Sequence, residues 1–281
     1  MADSSSAKTL LITGVSSGFG RALAEQALKE GHRVVGTLRN AQDTQAFEQL
    51  KPGSAFGYVL DVTHNELIPA TIADIEAEVG PIDVLVNNAG YGYEGVVEEA
   101  SLDAVRQQFE VNVFGAVAMI QGVLPYMRKR RAGHILNITS MGGIITLPGL
   151  GIYHGSKFAL EGISESLAKE VKGLGIHVTA VEPGGFRTDW AGRSMTRGER
   201  SIGDYDDVFE PLRQRRQEYS GKQLGDPVKA AQVMLKLIAT QNPPLHLLLG
   251  SDAIKLVGEK LAFLQQEFSE WEAVSRSTDF Q

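Results

Sequence analysis

The sequence predicts a doubly wound parallel α/β fold, with a seven-stranded sheet in a single domain covering residues 1–281. Short aliphatic or β-branched runs recur seven times along the chain, and helical patterns separate most of them. The runs are apolar on both faces, which is typical of parallel strands covered by helices on both sides. The runs span residues 10–13, 33–37, 56–60, 84–86, 134–138, 176–181 and 245–249, and the helical patterns lie near 19–30, 65–79, 101–128, 153–172 and 226–241.

Composition narrows the class of protein. The chain has 281 residues, of which 43% are hydrophobic, and this is enough for one large core. Its net charge of −7 argues against a nucleic-acid partner, because phosphate contacts need clustered Lys and Arg. The short basic run at 128–131 is interpreted as the solvated end of a helix, where it complements the helix dipole.

The sequence also argues against a metal, a membrane span and secretion. It has no cysteine, and its six histidines show no metal-ligand spacing, so no metal is expected. No stretch approaches the roughly 18 apolar residues of a membrane span, and residues 1–6 lack the basic and apolar regions of a signal peptide. We therefore expect a cytoplasmic protein.

Three glycines cluster directly after the first strand run, at Gly14, Gly18 and Gly20. Glycines at a turn from strand to helix let the backbone reverse tightly and let another molecule approach closely. The N-terminus of the following helix offers free N–H groups to a phosphate, so the loop predicts a dinucleotide pyrophosphate site. The spacing differs from the G-x-G-x-x-G fingerprint, and a tight turn without a ligand is the alternative.

A second candidate site begins at Ser140, just beyond the fifth strand run. Tyr153 and Lys157 lie one helical turn apart at the start of the next helix, so they share a face. A nearby ammonium favours the phenolate, so Lys157 would bring the pKa of Tyr153 closer to working pH. With Ser140 bonded to a substrate oxygen, the three suit proton transfer to or from a carbonyl or alcohol. Alternatively, Tyr153 merely lies at a helix start and Lys157 faces solvent.

Two segments depart from the alternation of strands and helices. Residues 187–225 are charged, with scattered aromatic residues and no clear strand, and their length predicts a substrate lid. Residues 252–274 carry apolar residues at alternating steps of three and four, which predicts an amphipathic helix that packs on its own domain or on a partner subunit. A membrane-surface role is disfavoured because its polar face is not basic.

Taken together, the motifs make the sequence resemble the short-chain dehydrogenases/reductases, in their shorter single-domain branch. Residues 13–20 match the T-G-x-x-x-G-x-G cofactor loop of that family, with Phe19 where Ile is common. Further motifs follow in the family's order and at its usual spacing, although His154-Gly155 replace smaller residues. These motifs are Asp61-Val62, Asn87-Asn88-Ala89-Gly90, Asn112, Ser140, Tyr153 with Lys157, and Pro183-Gly184.

The resemblance implies a Rossmann fold and a role for each matched residue. Tyr153 would be the general acid in reduction, while Lys157 would lower its pKa and grip the nicotinamide ribose. Ser140 would orient the carbonyl, and Asn112 would hold a water in a proton relay. The other residues that would bind the dinucleotide are Gly14, Ser16, Ser17, Gly18, Phe19 and Gly20 at the pyrophosphate loop, Asp61 and Val62 at the adenine, Asn88, Ala89 and Gly90 at the adjoining ribose, and Pro183, Gly184, Phe186 and Thr188 at the carboxamide.

The end of the second strand run indicates which dinucleotide binds. A site that selects NAD usually ends this strand in Asp or Glu, which accepts a hydrogen bond from the ribose 2′-hydroxyl. Here Leu38 holds that position, and Arg39 could pair with a 2′-phosphate, assisted by Ser16 or Ser17. We therefore expect NADP(H), with NAD(H) as the alternative if Arg39 is only a solvated loop residue.

Substrate and assembly follow from the same resemblance. The stretches TLRN and NNAGYG resemble members that act on lipophilic ketones and alcohols, such as hydroxysteroid and retinol dehydrogenases. Met141, Leu147, Tyr91 and Tyr93 would line the substrate pocket beneath the lid. Family members usually associate through the two helices that carry the catalytic residues, so a homodimer or homotetramer is expected.

Two other functions are alternatives to a reductase. A non-catalytic sensor of NADPH would bind the dinucleotide and report it to a protein partner, but such sensors usually lose the Tyr or the Lys of the catalytic pair. A sugar-nucleotide epimerase or dehydratase also uses this pair, yet it needs a larger C-terminal domain than remains after residue 185. The intact pair therefore favours the reductase.

Overall fold

The sheet has the predicted doubly wound parallel arrangement. The computed structural model describes residues 7–280, so the expectation for residues 1–6 lies outside the described range. Seven parallel strands lie in the order β3-β2-β1-β4-β6-β7-β9, and two short strands, β5 and β8, pair separately. The strands are β1 Thr9–Thr13, β2 Arg33–Leu38, β3 Ala55–Val59, β4 Val84–Asn87, β5 Gly92–Glu94, β6 Gly133–Ile138, β7 Ile176–Pro183, β8 Met195–Arg197 and β9 His246–Leu249.

Helices cover both faces of this sheet and agree with the predicted positions, with two additions. The short helices α2 and α7 were not expected, and α2 begins where the side chain of Asn40 accepts a hydrogen bond from the backbone N–H of Asp43. The helices are α1 Gly18–Lys29, α2 Ala41–Glu48, α3 Ile68–Glu78, α4 Leu102–Phe109, α5 Gly115–Arg130, α6 Gly151–Val171, α7 Asp206–Tyr219, α8 Pro227–Ile238, α9 Ser251–Glu270 and α10 Glu272–Arg276.

Two hydrophobic layers, one on each face of the sheet, hold the fold together. Leu10 and Ile12 on β1 belong to the layer that contains α1 and α8, whereas Leu11 belongs to the layer that contains α3 and α5. All three side chains are fully buried. The strand is therefore apolar on both faces because a helix layer covers each face, as the sequence pattern predicts.

The order of the strands reverses beside β1, which fixes the location of the site. β1 pairs with β2 on one side and with β4 on the other. In open sheets of this kind, ligands bind beyond the carboxyl ends of the strands at the point of reversal. The loops that follow β1 and β4 meet at that point.

Residues 187–225 contain regular structure that the sequence did not reveal. Strand β8 pairs in parallel with β5, and α7 is a helix of 14 residues, so the expectation of no clear strand is wrong. The strand is only three residues long and α7 is mostly charged, so neither carries a recognisable hydrophobic period. The segment is thus paired through β8 with β5, the strand that follows β4 in the chain.

Residues 252–274 are helical as predicted, although most of the apolar face is not packed on the domain. Helices α9 and α10 span this range, and only Ala253 and Val257 are buried along α9. Leu261, Phe268 and Trp271 are all more than half exposed. Within the described chain, the predicted packing is therefore limited to the first turns.

One helical stretch qualifies the expectation that no segment resembles a membrane span. The stretch Leu102–Arg130 comprises α4, a π turn and α5. It is 29 residues long with a mean hydropathy of 1.2, so its length and composition are those of a possible membrane span. However, Met119, Val123 and Met127 of this stretch are fully buried in the layer beneath the sheet. Length and composition alone therefore favour a span, and the packing is that of a core helix.

Gly20 supplies a test of how tightly α1 packs on the loop that precedes it. A Cβ at Gly20 would lie 2.4 Å from the carbonyl oxygen of Gly14 and 2.5 Å from Nδ2 of Asn88. We expect Gly20→Ala to lower the free energy of unfolding by about 1–3 kcal/mol, because neither neighbour can yield without breaking a hydrogen bond. Urea denaturation measures this change.

Gly162→Ala is the matched control for that substitution. Gly162 lies in α6 with no atom within 4 Å of an added Cβ, so alanine should stabilise the helix by up to about 1 kcal/mol. Equal effects of the two substitutions would contradict the close approach at Gly20.

Candidate active site

The loop after β1 is joined to the loop after β4 by the side chain of Asn88. Its Nδ2 donates to the carbonyl oxygens of Thr13 and Gly14, at 2.8 and 2.9 Å. In return, the Thr13 hydroxyl accepts from the backbone N–H groups of Asn88 and Ala89, at 3.0 and 2.9 Å. The two predicted dinucleotide loops therefore form one rigid unit.

Two glycines give this loop a backbone shape that other residues rarely adopt. Gly14 and Gly18 have φ angles of 70° and 58°, in the left-handed region. A Cβ at Gly14 would also lie 3.2 Å from the Cα of Ala89, so the loops pack too closely for a side chain. Ser16 is exposed, and the hydroxyl of Ser17 makes no capping bond at the N-terminus of α1. The free N–H groups of α1 and these hydroxyls together suit an anion.

The segment after β7 closes against this loop. The rings of Phe19 and Phe186 pack edge to face, with centroids 5.0 Å apart. A Cβ at Gly18 would lie 3.7 Å from the Cβ of Thr188. The structure therefore brings together residues predicted to contact the pyrophosphate and residues predicted to contact the nicotinamide carboxamide.

Pro183 and Gly184 lead into that segment from the end of β7. Asp252, in the first turn of α9, accepts a hydrogen bond from the N–H of Gly185 at 2.7 Å. A Cβ at Gly184 would lie only 2.3 Å from the same carboxylate, so this position has no room for a side chain. The sequence did not reveal Asp252, because nothing near it resembles a known motif.

Two neighbouring residues at the end of β2 differ in their exposure to solvent. Leu38 is buried in the core layer beside α1, whereas Arg39 is exposed just beyond the strand. Among residues 7–280, Arg39 forms no ion pair and no hydrogen bond through its guanidinium. Its charge is thus available at the edge of the predicted adenosine region.

The predicted adenine residues lie beyond β3. Asp61 accepts hydrogen bonds from the backbone N–H and the hydroxyl of Thr63, at 3.0 and 2.9 Å. Val62 is buried against Gly115, where an added Cβ would lie 2.7 Å from Cγ2 of the valine. Both positions are fixed by the protein, and their contacts with adenine remain a prediction.

Tyr153 and Lys157 are both buried on the face of α6 that points to the sheet. The Lys157 ammonium donates to the carbonyl oxygen of Ile138, at the end of β6, at 2.8 Å. It also lies 5.9 Å from the centroid of the Tyr153 ring and 3.7 Å from the position of a Cβ on Gly90. The alternative in which Lys157 faces solvent is therefore wrong.

Burial shifts the pKa of both residues in the direction of the neutral form. It raises the pKa of Tyr153 to about 12, and a hydrogen bond with Ser140 opposes this rise. It lowers the pKa of Lys157 to about 8, and the Glu161 carboxylate opposes this fall. At Tyr153 desolvation outweighs the Ser140 bond, and the expectation that Lys157 brings this pKa towards working pH stays a prediction.

Ser140 lies in the turn after β6. Its hydroxyl oxygen accepts from the N–H of Gly142 at 2.9 Å and lies 3.5 Å from the carbonyl oxygen of Pro183. This places the serine between the segment after β7 and the start of α6. It is oriented by its own turn, as a residue that positions a substrate oxygen should be.

Asn112 lies in a π turn, residues 110–114, between α4 and α5. Such turns often occur at functional sites. The carboxamide bonds to both backbone groups of Tyr91, at 3.0 and 3.1 Å, and Nδ2 also donates to the Ser156 hydroxyl at 3.1 Å. Both N–H donors of the side chain are thus used within the protein. The predicted relay through a water remains a prediction.

Residues 187–225, the predicted lid, pack on Tyr153. The ring of Trp190 lies 5.1 Å from that of Tyr153, centroid to centroid. The buried Glu94 on β5 forms ion pairs with Arg197 and Arg216, at 3.0 and 2.5 Å, and so joins the lid to the domain. Sequence reasoning missed this contact, because single charges without periodicity reveal no partner.

Glu99 makes further contacts between the domain and the predicted lid, and two of the predicted pocket residues differ in exposure. Glu99 bonds to Arg200 and to two backbone N–H groups of the lid. Of the residues expected to line the pocket, Tyr93 is buried against Gly95 and Gly198 beneath the lid, and Leu147 is exposed. Whether these residues line a substrate pocket stays a prediction.

The geometry fits a dinucleotide. Gly14, Gly18 and Gly20 leave a cradle that side chains would fill, and α1 directs its free N–H groups into it. Lys157 lies between this cradle and Tyr153, close to Gly90. The arrangement can bind a dinucleotide and hold a proton donor beside it.

Comparison with known proteins gives the same result. The model of the short chain dehydrogenase family matches residues 8–197. Oxidoreductase BOA17 of Botryotinia fuckeliana is 38% identical over 272 residues, which are 95% of this chain and 98% of that protein. A 3-ketodihydrosphingosine reductase of Bacteroides thetaiotaomicron is 39% identical over 246 residues, covering 86% and 87% of the two chains.

Solved structures agree with these sequence matches. A short-chain dehydrogenase from Streptomyces avermitilis is 42% identical with a TM-score of 0.91, covering 98% of this chain and 99% of that one. ElxO, solved with NADP bound, is 26% identical with a TM-score of 0.72, covering 86% and 96%. The chain therefore belongs to the short-chain dehydrogenase family and is an oxidoreductase of that family.

Proposed function

We propose that this protein transfers hydride between NADP(H) and the carbonyl or alcohol carbon of a lipophilic substrate. The observation that carries this proposal is the burial of Tyr153 and Lys157 where the loops after β1, β4 and β7 meet. Burying a phenol hydroxyl and an ammonium costs free energy of folding. Their position beside the predicted dinucleotide loop therefore favours a role in catalysis over a role in stability.

The residues divide the chemistry in a simple way. A bound nicotinamide dinucleotide would supply the hydride. Ser140 holds the substrate oxygen, and Tyr153 donates its proton to that oxygen as negative charge develops there. Because burial raises the pKa of Tyr153 to about 12, the phenol is neutral at pH 7 and is ready to act as an acid. Lys157 then lies close enough to stabilise the phenolate that remains.

The lid supports a lipophilic substrate. Trp190 packs on Tyr153, and an added Cβ at Gly92 would lie 2.9 Å from the indole and 3.0 Å from the sulfur of Met195, so apolar groups lie beside the Tyr153 ring. Apolar walls with few polar groups favour apolar ligands. The relative from Bacteroides thetaiotaomicron is a reductase of 3-ketodihydrosphingosine, which adds to this proposal.

Arg39 supports NADP(H) as the dinucleotide. It is exposed at the end of β2, and Leu38 occupies the position at which an acid would select NAD. Ser16 and Ser17 lie in the loop after β1, the strand that pairs with β2, and the Ser17 side chain makes no capping bond. A 2′-phosphate would therefore meet a guanidinium rather than a carboxylate.

Assembly through the catalytic helices is part of the same proposal. Phe114 in the π turn and Phe158 on α6 are 52% and 42% exposed, although both lie on helices that carry catalytic residues. Large aromatic side chains exposed together favour contact with another protein surface. We infer a homodimer or homotetramer formed by these helices.

Tyr153→Phe tests the reaction. Wild type should oxidise NADPH with some carbonyl in a panel from small aldehydes to steroid and long-chain ketones. The variant should lose about 100-fold or more of that rate, since the proton donor is removed, while still binding NADPH. Steady-state absorbance measures the rate, and fluorescence titration measures binding.

Tyr126→Phe, on α5 outside the site, is the control and should retain the wild-type rate. If wild type binds NADPH but reduces no carbonyl, and Tyr153→Phe behaves identically, the result contradicts the reductase proposal and favours the NADPH sensor.

Arg39→Ala tests the choice of dinucleotide. A charge-assisted bond to the 2′-phosphate contributes about 1.5–3 kcal/mol, so the KM for NADPH should rise about 10- to 100-fold. The KM for NADH should hardly change. The exposed Arg128→Ala on α5 is the matched control, since it removes the same charge far from the site. A rise of equal size for both dinucleotides would contradict recognition of the 2′-phosphate.

A further inference from the structure

Three side chains from three different elements converge behind the catalytic residues. Glu161 lies on α6, one turn beyond Lys157; Glu182 lies on β7, next to Pro183; and His246 begins β9. One ligand atom from each of Glu161, Glu182 and His246 lies within 4.8 Å of the others. Residues so far apart in sequence show no metal-ligand spacing, so sequence analysis missed this cluster.

The two carboxylates are buried, and of their four oxygens only Oε1 of Glu182 has a hydrogen-bond partner, the Nδ1 of His246. Glu161 is 5% exposed and Glu182 is completely buried. Both oxygens of Glu161 and the Oε2 of Glu182 lack a hydrogen-bond donor. Among residues 7–280, no Lys or Arg forms an ion pair with either carboxylate. Two buried, uncompensated negative charges are very costly, so the cluster requires positive charge from protons or from a cation.

His246 gives the cluster the donor set and the access that a cation needs. Its Nδ1 lies 2.7 Å from Glu182 and 3.7 Å from Glu161, so all three donors face one space. The imidazole is 43% exposed, which provides a path from solvent. Its Nε2 lies 3.9 Å from the Glu165 carboxylate, which is beyond hydrogen-bond distance but close enough for this carboxylate to become an outer partner of the imidazole.

We propose that Glu161, Glu182 and His246 form a binding site for one divalent transition-metal ion. One imidazole and two carboxylates suit Zn²⁺ better than Mg²⁺, which prefers oxygen ligands alone in octahedral geometry. A divalent ion neutralises both carboxylates at once and satisfies their unpartnered oxygens.

The ion would join three parts of the active-site scaffold. Glu161 lies on the helix of Tyr153 and Lys157, and Glu182 leads into the segment that closes over the dinucleotide loop. An added Cβ at Gly143 would lie 2.8 Å from the Cγ of Glu161, so the turn that begins at Ser140 rests on this side chain. The site is therefore structural, and it lies behind the catalytic groups.

Zn²⁺ titration of the full-length, untagged, chelator-treated protein tests this proposal. We expect one ion per chain by isothermal titration calorimetry, with a rise in melting temperature on binding. His246→Ala and Glu161→Gln should each weaken Zn²⁺ binding about 100-fold or more, and Glu165→Gln about 10-fold, as expected for an outer partner. Mg²⁺ at the same concentration should neither bind nor displace Zn²⁺.

His64→Ala is the matched control, because His64 and Glu66 form an exposed pair 3.3 Å apart. This substitution should leave Zn²⁺ binding unchanged. If wild type binds Zn²⁺ no more tightly than His246→Ala, the proposal is wrong and protons neutralise the two carboxyl groups. Because His246 is half exposed, we expect His246→Ala to fold. Neither measurement depends on turnover, so a negative result for Zn²⁺ binding would not contradict the proposed reaction.

Discussion

The bridge that Asn88 forms between two loops is the contact on which the site depends. One carboxamide holds the carbonyl groups of Thr13 and Gly14, and one hydroxyl holds the N–H groups after β4. This exchange works only because Gly20 has no side chain in the space between them. Two strand ends that meet at the reversal of the sheet thereby become one surface, with the N-terminus of α1 directed at it.

Burial decides the electrostatics of the catalytic pair. Desolvation raises the pKa of Tyr153 and lowers that of Lys157, so each residue is held towards its neutral form. A neutral phenol is the form that donates a proton, which suits reduction. The ammonium becomes useful after that transfer, when negative charge lies on the phenolate. The cost of burying these groups is met by the packing of α6 on the sheet and by the bond from Lys157 to Ile138.

The sequence predicted what periodicity and compact motifs encode. Seven strands, the long helices, the glycine loop and the positions of Tyr153 and Lys157 follow from patterns within about thirty residues. Contacts between distant single residues were not predictable. Three contacts are of this kind. Glu94 forms an ion pair with Arg197, Asp252 accepts a hydrogen bond from Gly185, and Trp190 packs on Tyr153. No local pattern marks such residues, because their partners are fixed only by the fold.

Transfer of a hydride within this site, with Tyr153 as the proton donor, is tested most directly by a single turnover with NADPH that carries deuterium at both C4 positions of the nicotinamide. Mass spectrometry of the alcohol formed from the best carbonyl of the panel then locates the label. We expect deuterium on the carbinol carbon in wild type, and a strongly slowed transfer in Tyr153→Phe. Oxidation of NADPH without deuterium in the product would contradict it.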